Sequence, residues 1–374
     1  MRYQNSQFHT KLLPVGVFLV LAITAALPVS VARANSRKEN VATINVVSST
    51  VPSNGDVNPY GVALVPTTKG MLIKGNILVS NFNNSANLQG TGSTIVQISP
   101  TGMVSLFAHI ETSNLLGPCP GGVGLTTALV ALRSGFVIVG SLPTADGTAA
   151  TAQAGCLIVL DSNGKVVETL SNSLIDGPWD MTAFDDLSNV ALFVTNVLNE
   201  TVASGGKIAH DGTVIRLNLM ISPGSAPSLQ STTVIGSGFP ERTDPAALVI
   251  GPTGVGLSPD KMTLYVADSL DNRIAAISEP LTRTIASRKG TTVSAHGNLN
   301  DPLGLTVGAD GNILTVNGND GFLVITTPGG IQVSKTLLDS TGSPPGAGAL
   351  FGLAVVGVNL YFVDDASNTL NSLH

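Results

Sequence analysis

Residues Gly251 to Ile277 read GPTGVGLSPDKMTLYVADSLDNRIAAI. A Pro-x-Gly-apolar start opens a short apolar run, Ser258-Pro259-Asp260-Lys261 makes a turn, Leu-Tyr-Val-Ala runs to Asp268, and Asn272-Arg273-Ile274 opens a third run. The spacing predicts three short strands joined by tight turns. Each run has the usual strand length, and Pro, Gly, Asp and Asn fall where a turn fixes φ or makes it positive.

The phrase recurs along the chain, which is how a repeat architecture shows itself in one sequence. Asn58-Pro59-Tyr60-Gly61-Val62 leads to the run ending at Asn81, Asp301-Pro302-Leu303-Gly304-Leu305 to the run ending at Asn317, and Leu350-Phe351-Gly352-Leu353 to the run ending at Asp364. Two looser copies lie between them. Gly122-Val123-Gly124-Leu125 leads to Ser141, and Pro178-Trp179-Asp180-Met181 leads to Asn196. The unit closely resembles the NHL repeat, one blade of a β-propeller. Six copies then imply an all-β fold, a six-bladed β-propeller of four-stranded blades with no helix of any length.

The last copy supplies only three strands, Leu350 to Val356, Asn359 to Asp364 and Thr369 to Leu373, before the chain stops at His374. An open ring leaves unpaired backbone groups at its edge, a liability that proteins cover. The isolated run Val41 to Thr50 can cover it, and NHL-type propellers similarly lend an N-terminal strand to the last blade.

Residues 1–34 read as a segment outside the fold. Arg2 and Lys11 precede an uncharged apolar run from Leu12 to Leu27, and Ala32-Arg33-Ala34 has the small-x-small pattern of a signal-peptide cleavage site. A retained membrane anchor is the alternative, but Pro14 and Gly16 interrupt a short run. The expectation is a signal peptide followed by one propeller domain over 35–374, exported to the periplasm or secreted, monomeric and without a membrane span once the leader is removed.

The chain carries 18 Lys and Arg against 24 Asp and Glu, and three of the basic residues, Arg2, Lys11 and Arg33, belong to the leader. Nucleic acid is therefore a poor partner, since no basic cluster exceeds Arg37-Lys38 and Arg288-Lys289. Disorder is excluded by an apolar content of 43% spread through strand-sized runs. Cys119 and Cys156 are the only cysteines, and an exported compartment permits them to form a disulfide.

Second strands end on Asn81, Ser141, Asn196, Asp268, Asn317 and Asp364, one polar residue per blade at one register. Such a ring could hold a cation or polar ligand. It could equally accept hydrogen bonds from the turns that follow, the role these residue types have in NHL repeats. At the start of the innermost strands stand Tyr60, Val123, Trp179, Thr253, Leu303 and Phe351, a mostly apolar set suited to channel packing or to the floor of a ligand site.

The six-bladed gluconolactonase and paraoxonase families, which share this plan, carry Glu, Asp and Asn ligands to calcium there. Here Asp180 is the only carboxylate near that level, so no metal or other cofactor is expected. His109, His210, His296 and His374 show no ligand spacing.

The polar loops after Asn81, Ser141 and Asn196 are long, and those of the next three blades are short. The expected site is a one-sided recess on that face, floored by Tyr60, Trp179 and Phe351 and bordered by Asp180 and the polar ring. No residue is assigned a catalytic role. The functional expectation is a non-catalytic scaffold for an unidentified small molecule or protein; the alternative is a lactonase- or lyase-like enzyme with a metal in the central channel.

Overall fold

A computed structural model describes residues 43–374 apart from 246. The expected signal peptide over 1–34 lies outside the described residues. The described chain is a six-bladed β-propeller with antiparallel blades and, apart from two single 3-10 turns at Thr112–Asn114 and Ala149–Thr151, no helix among the described residues. None of their helices is long and apolar enough to cross a membrane.

From the axis outward, blade one is Val57–Leu64, Ile77–Asn83, Thr94–Ile98 and Val104–His109. Blade two is Leu125–Ala131, Val137–Ser141, Cys156–Leu160 and Val166–Leu170. Blade four is Pro252–Leu257, Thr263–Asp268, Arg273–Ser278 and Thr291–Ala295, and blade five is Pro302–Val307, Ile313–Asn317, Phe322–Thr326 and Gln332–Leu337. Middle strands such as Ile77–Asn83 and Cys156–Leu160 are buried throughout because neighbouring blades cover both faces, whereas the outer Gln332–Leu337 strand alternates between exposed and half-buried residues.

Blade six is closed as the sequence implies. Ile44–Ser49 pairs antiparallel with Thr369–Leu373, Ile44 opposite Leu373 and Ser49 opposite Thr369, and completes a sheet with Asn359–Asp364 and Leu350–Val356. The Pro-x-Gly phrase also gains a reason. A Cβ on Gly304 would overlap the carbonyl oxygen of Phe351, and one on Gly352 that of Tyr60, so glycine lets adjacent inner strands approach around the axis.

Blade three is enlarged. Its sheet contains Pro178–Asp186, Asn189–Asn196, Ala209–Met220, the 17-residue strand Ser228–Asp244 and a fifth strand, Leu248–Ile250. The fourth and fifth strands form a hairpin in which Arg242 pairs with Ile250 and Asp244 with Leu248. In blade two, Cys119 and Cys156 form a disulfide across a separation of 37 residues. Chain entropy assigns such a loop about 3–4 kcal/mol of stabilisation.

Candidate active site in the central channel

The two ends of the channel differ. At the end where the inner strands begin, Tyr60 is stacked between Phe351, 3.9 Å away between ring centroids, and Phe82, at 4.4 Å, with Trp179 at 6.4 Å. Ala247, Leu248, Val249 and Ile250 of the blade-three hairpin pack on this group, and Trp179 donates its indole Nε1–H to the carbonyl of Val249 at 3.0 Å. The blade-one loop supports the hairpin through Gln89 Nε2, which donates to Pro245 O at 2.9 Å.

The expected recess over Tyr60, Trp179 and Phe351 is therefore absent. Apolar burial makes the chain's own hairpin the occupant of that space. The void left between Tyr60, Phe82, Trp179 and Leu248 is about 10 Å³, room for one water at most.

Nor does the polar ring converge. Asn81 donates to Thr50 O and Thr94 Oγ1, and Ser141 bridges Gly124 N and Gly122 O. Asp268 pairs with Arg273 Nε at 2.8 Å, Asn317 donates to Asn298 O and Asp320 Oδ1, and Asp364 accepts from Ser367 N. Each of these five already has a hydrogen-bond partner in the protein. Asn196 alone has no side-chain partner.

At the opposite end lies an open cavity of about 460 Å³, within the range of small-molecule sites. Leu129, Met181, Val255, Leu305 and Leu353 give it apolar walls, and its polar groups include Asp180 and Thr127. Asp180 belongs to this cavity and not to the aromatic end where the sequence grouped it with Trp179. Strand pairing explains its uniqueness. Pro59, Leu125, Pro178, Pro252, Pro302 and Leu350 are equivalent, each opposite the polar ring residue of its second strand. Two residues further on stand Gly61, Thr127, Asp180, Gly254, Gly304 and Gly352. Blades two and three thus carry side chains where the other four have glycine.

The same register places Thr126, not Val123, beside the aromatic residues. Sequence reading missed Thr127 because it set blade two three residues early, on Gly124.

Asp180 is held firmly. Its Oδ1 accepts from Met181 N at 2.8 Å, its Oδ2 from Val255 N at 3.0 Å, and its own N–H donates to Thr195 Oγ1 at 3.1 Å. Burial pushes its carboxyl up to about 7, against the two backbone hydrogen bonds that favour the ionised form. Thr127 Oγ1 is buried without a partner. A carboxyl poised near neutrality and an unpartnered hydroxyl lining the same cavity are suited to moving a proton and to stabilising a developing oxyanion.

The calcium set implied by the gluconolactonase resemblance does not fit. Its positions hold Tyr60, Thr126, Trp179, Thr253, Leu303 and Phe351, and Thr253 Oγ1 is already bonded to Ser269 Oγ and Pro302 O. Among the described residues no group of three or more His, Cys, Asp or Glu side chains converges to hold a metal.

The architecture is one that other solved proteins share. The family model described as SMP-30/Gluconolactonase/LRE-like region matches residues 240–340. No curated protein matches the chain. Among solved structures, the PQQ-bound aldose sugar dehydrogenase of Streptomyces coelicolor aligns with a TM-score of 0.53 at 13% identity, covering 89% of this chain and 98% of that one. A gluconolactonase from Xanthomonas campestris gives 0.52 at 13% identity, covering 89% of each chain. A luciferin-regenerating enzyme gives 0.51 at 11%, covering 89% of this chain and 95% of that one. At these identities the likeness is one of fold.

The expectation of a non-catalytic scaffold is overturned by the match to the gluconolactonase region, which favours the enzyme alternative.

Proposed function

We propose that the protein is a lactonase-like hydrolase acting in the open channel cavity, with Asp180 as general base and Thr127 as oxyanion donor. Asp180 carries the reading: it is the one carboxylate at the axial glycine register, buried in a cavity of ligand size and raised to about 7. The family match over residues 240–340 supports a lactone as the substrate class.

In the proposed reaction, ionised Asp180 takes a proton from water as the water oxygen bonds to the lactone carbonyl carbon. The carbonyl oxygen becomes an alkoxide and accepts the Thr127 hydroxyl hydrogen bond. Re-forming the C=O breaks the ring C–O bond, and the leaving oxygen takes the proton back from Asp180. The product is the open-chain hydroxy acid, and the base is regenerated.

Acid release from a panel of γ- and δ-lactones tests this. Asp180→Asn should lower kcat/KM by about 10²–10⁴-fold, the usual weight of a general base. Circular dichroism checks that the variant is folded, since one of its two backbone hydrogen bonds is lost. A wild-type protein inert to the whole panel, or a folded variant with full activity, overturns the reading. Export belongs to the same proposal and draws support from the Cys119–Cys156 disulfide. So does the finer grouping of the blades with NHL repeats, supported by their Pro-x-Gly phrase.

A further inference from the structure

Every inner strand is irregular where it passes along the channel. In blade three the pairing with the second strand shifts between Pro178 and Met181, so Asp180 lies in a bulge and its N–H falls outside the regular ladder. Thr195, which is fully buried, supplies the acceptor: Asp180 N–H donates to Thr195 Oγ1 at 3.1 Å. The hydroxyl proton goes to the next blade, to Thr253 O at 2.7 Å, and not to Asp180 O, which lies at 3.3 Å. Two residues beyond Thr253, Val255 N–H donates to Asp180 Oδ2 at 3.0 Å. One hydroxyl therefore pins both sides of that contact, the backbone of Asp180 and the segment that carries its Val255 donor.

The propeller does not need a hydroxyl there. In blades one to six the residue before the polar ring residue is Ser80, Gly140, Thr195, Ala267, Val316 and Val363, so four blades close onto their neighbours without one. Ser80 makes the same clasp in blade one, accepting from Gly61 N at 2.9 Å and donating to Thr126 O at 2.8 Å, but the residue it holds is glycine.

Burial raises the Asp180 carboxyl, and the Met181 and Val255 N–H groups oppose the rise. Arg133 and Asp185, the other charged residues lining the cavity, are tied to each other, with Arg133 N donating to Asp185 Oδ2 at 2.6 Å. We propose that Thr195 is a positioning residue for Asp180: by accepting from Asp180 N–H and donating to Thr253 O, it holds the Val255 N–H on the carboxylate. That bond favours the ionised form. The catalytic meaning rests on the lactonase reading, in which the ionised form is the base; the geometry does not.

The test is titration of the Asp180 carboxyl by carbon NMR on the full chain, isotope-labelled at its aspartate carboxyl carbons, with the signal assigned by its absence in Asp180→Asn. Thr195→Val keeps the side-chain volume and removes the hydroxyl, and the midpoint should rise by about one pH unit, the weight of one hydrogen bond to a charged group. Thr195→Ser restores the hydroxyl and should titrate with the wild type. So should Ser80→Ala, which breaks the equivalent clasp elsewhere in the ring. If Thr195→Val does not fold, Thr195→Cys, a weak donor and acceptor, should give a smaller rise. An unmoved midpoint in the folded valine or cysteine variant overturns the proposal, and so does an equal rise in Ser80→Ala. Where lactones are hydrolysed, the inflection of kcat/KM in Thr195→Val should move up with the NMR midpoint. A wild type inert to lactones whose midpoint still moves in Thr195→Val overturns the lactonase reading and upholds the positioning role, whereas hydrolysis with an unmoved midpoint overturns the positioning role alone.

Discussion

Trp179 and Asp180 are adjacent in one inner strand, yet they serve opposite ends of the channel. Trp179 is packed under the 242–250 hairpin with Tyr60 and Phe351, and Asp180 lines the open cavity with Thr127. Apolar contact seals one end. At the other, burial acts on a carboxyl and shifts its protonation towards neutral pH. The long polar loops of blades one to three surround the sealed end, so loop length identifies where the chain is elaborated and not where the axial channel is open. One enlarged blade is enough to close a mouth that six inner strands leave open.

The largest expected effect lies at the sealed end. Trp179→Ala removes a buried aromatic side chain and its bond to Val249 O, and should cost about 3–5 kcal/mol in chemical unfolding. Its kcat/KM for a lactone, measured where the variant is still folded, should stay within about threefold of wild type. Unchanged stability together with lost turnover would reverse the assignment of the two ends.

A smaller and opposite pattern is expected at the open end. Thr127→Val removes a hydroxyl that has no partner in the structure, so stability should hold or rise slightly. If that hydroxyl serves the oxyanion, kcat should fall by about a hundredfold. Destabilisation with intact kcat would make Thr127 a packing residue.

Much of the fold was legible because the propeller writes itself into local chemistry. Pro178, Pro252 and Pro302 start inner strands, Asn196, Asp268 and Asn317 end second strands, and the run around Ile44 to Ser49 had no partner except the incomplete last blade. The site was only half legible. Asp180 was visible at a glycine register, but Thr127 was hidden because Gly121-Gly122-Val123-Gly124 imitates the blade phrase; in the structure Gly122 is a turn residue with φ of 90°.

The hairpin seal was not legible at all. Within the Ser- and Pro-rich stretch from Ile221 to Gly251, nothing local says that Leu248 and Val249 fold back over Tyr60 and Trp179, since that outcome depends on apolar contact between distant blades. Likewise Asn81, Asn196 and Asn317 are one residue type at one register. Only the loops that follow them decide which amide is left without a partner.

The most direct test of the channel assignment is the pH dependence of kcat/KM for lactone hydrolysis. Asp180 acts in its ionised form, so with a carboxyl at about 7 the rate should rise about tenfold per pH unit below that value and level off above it. The inflection should disappear in Asp180→Asn. A profile that is flat between pH 5 and 8, or an inflection near 7 that persists in the variant, would show that Asp180 is not the base.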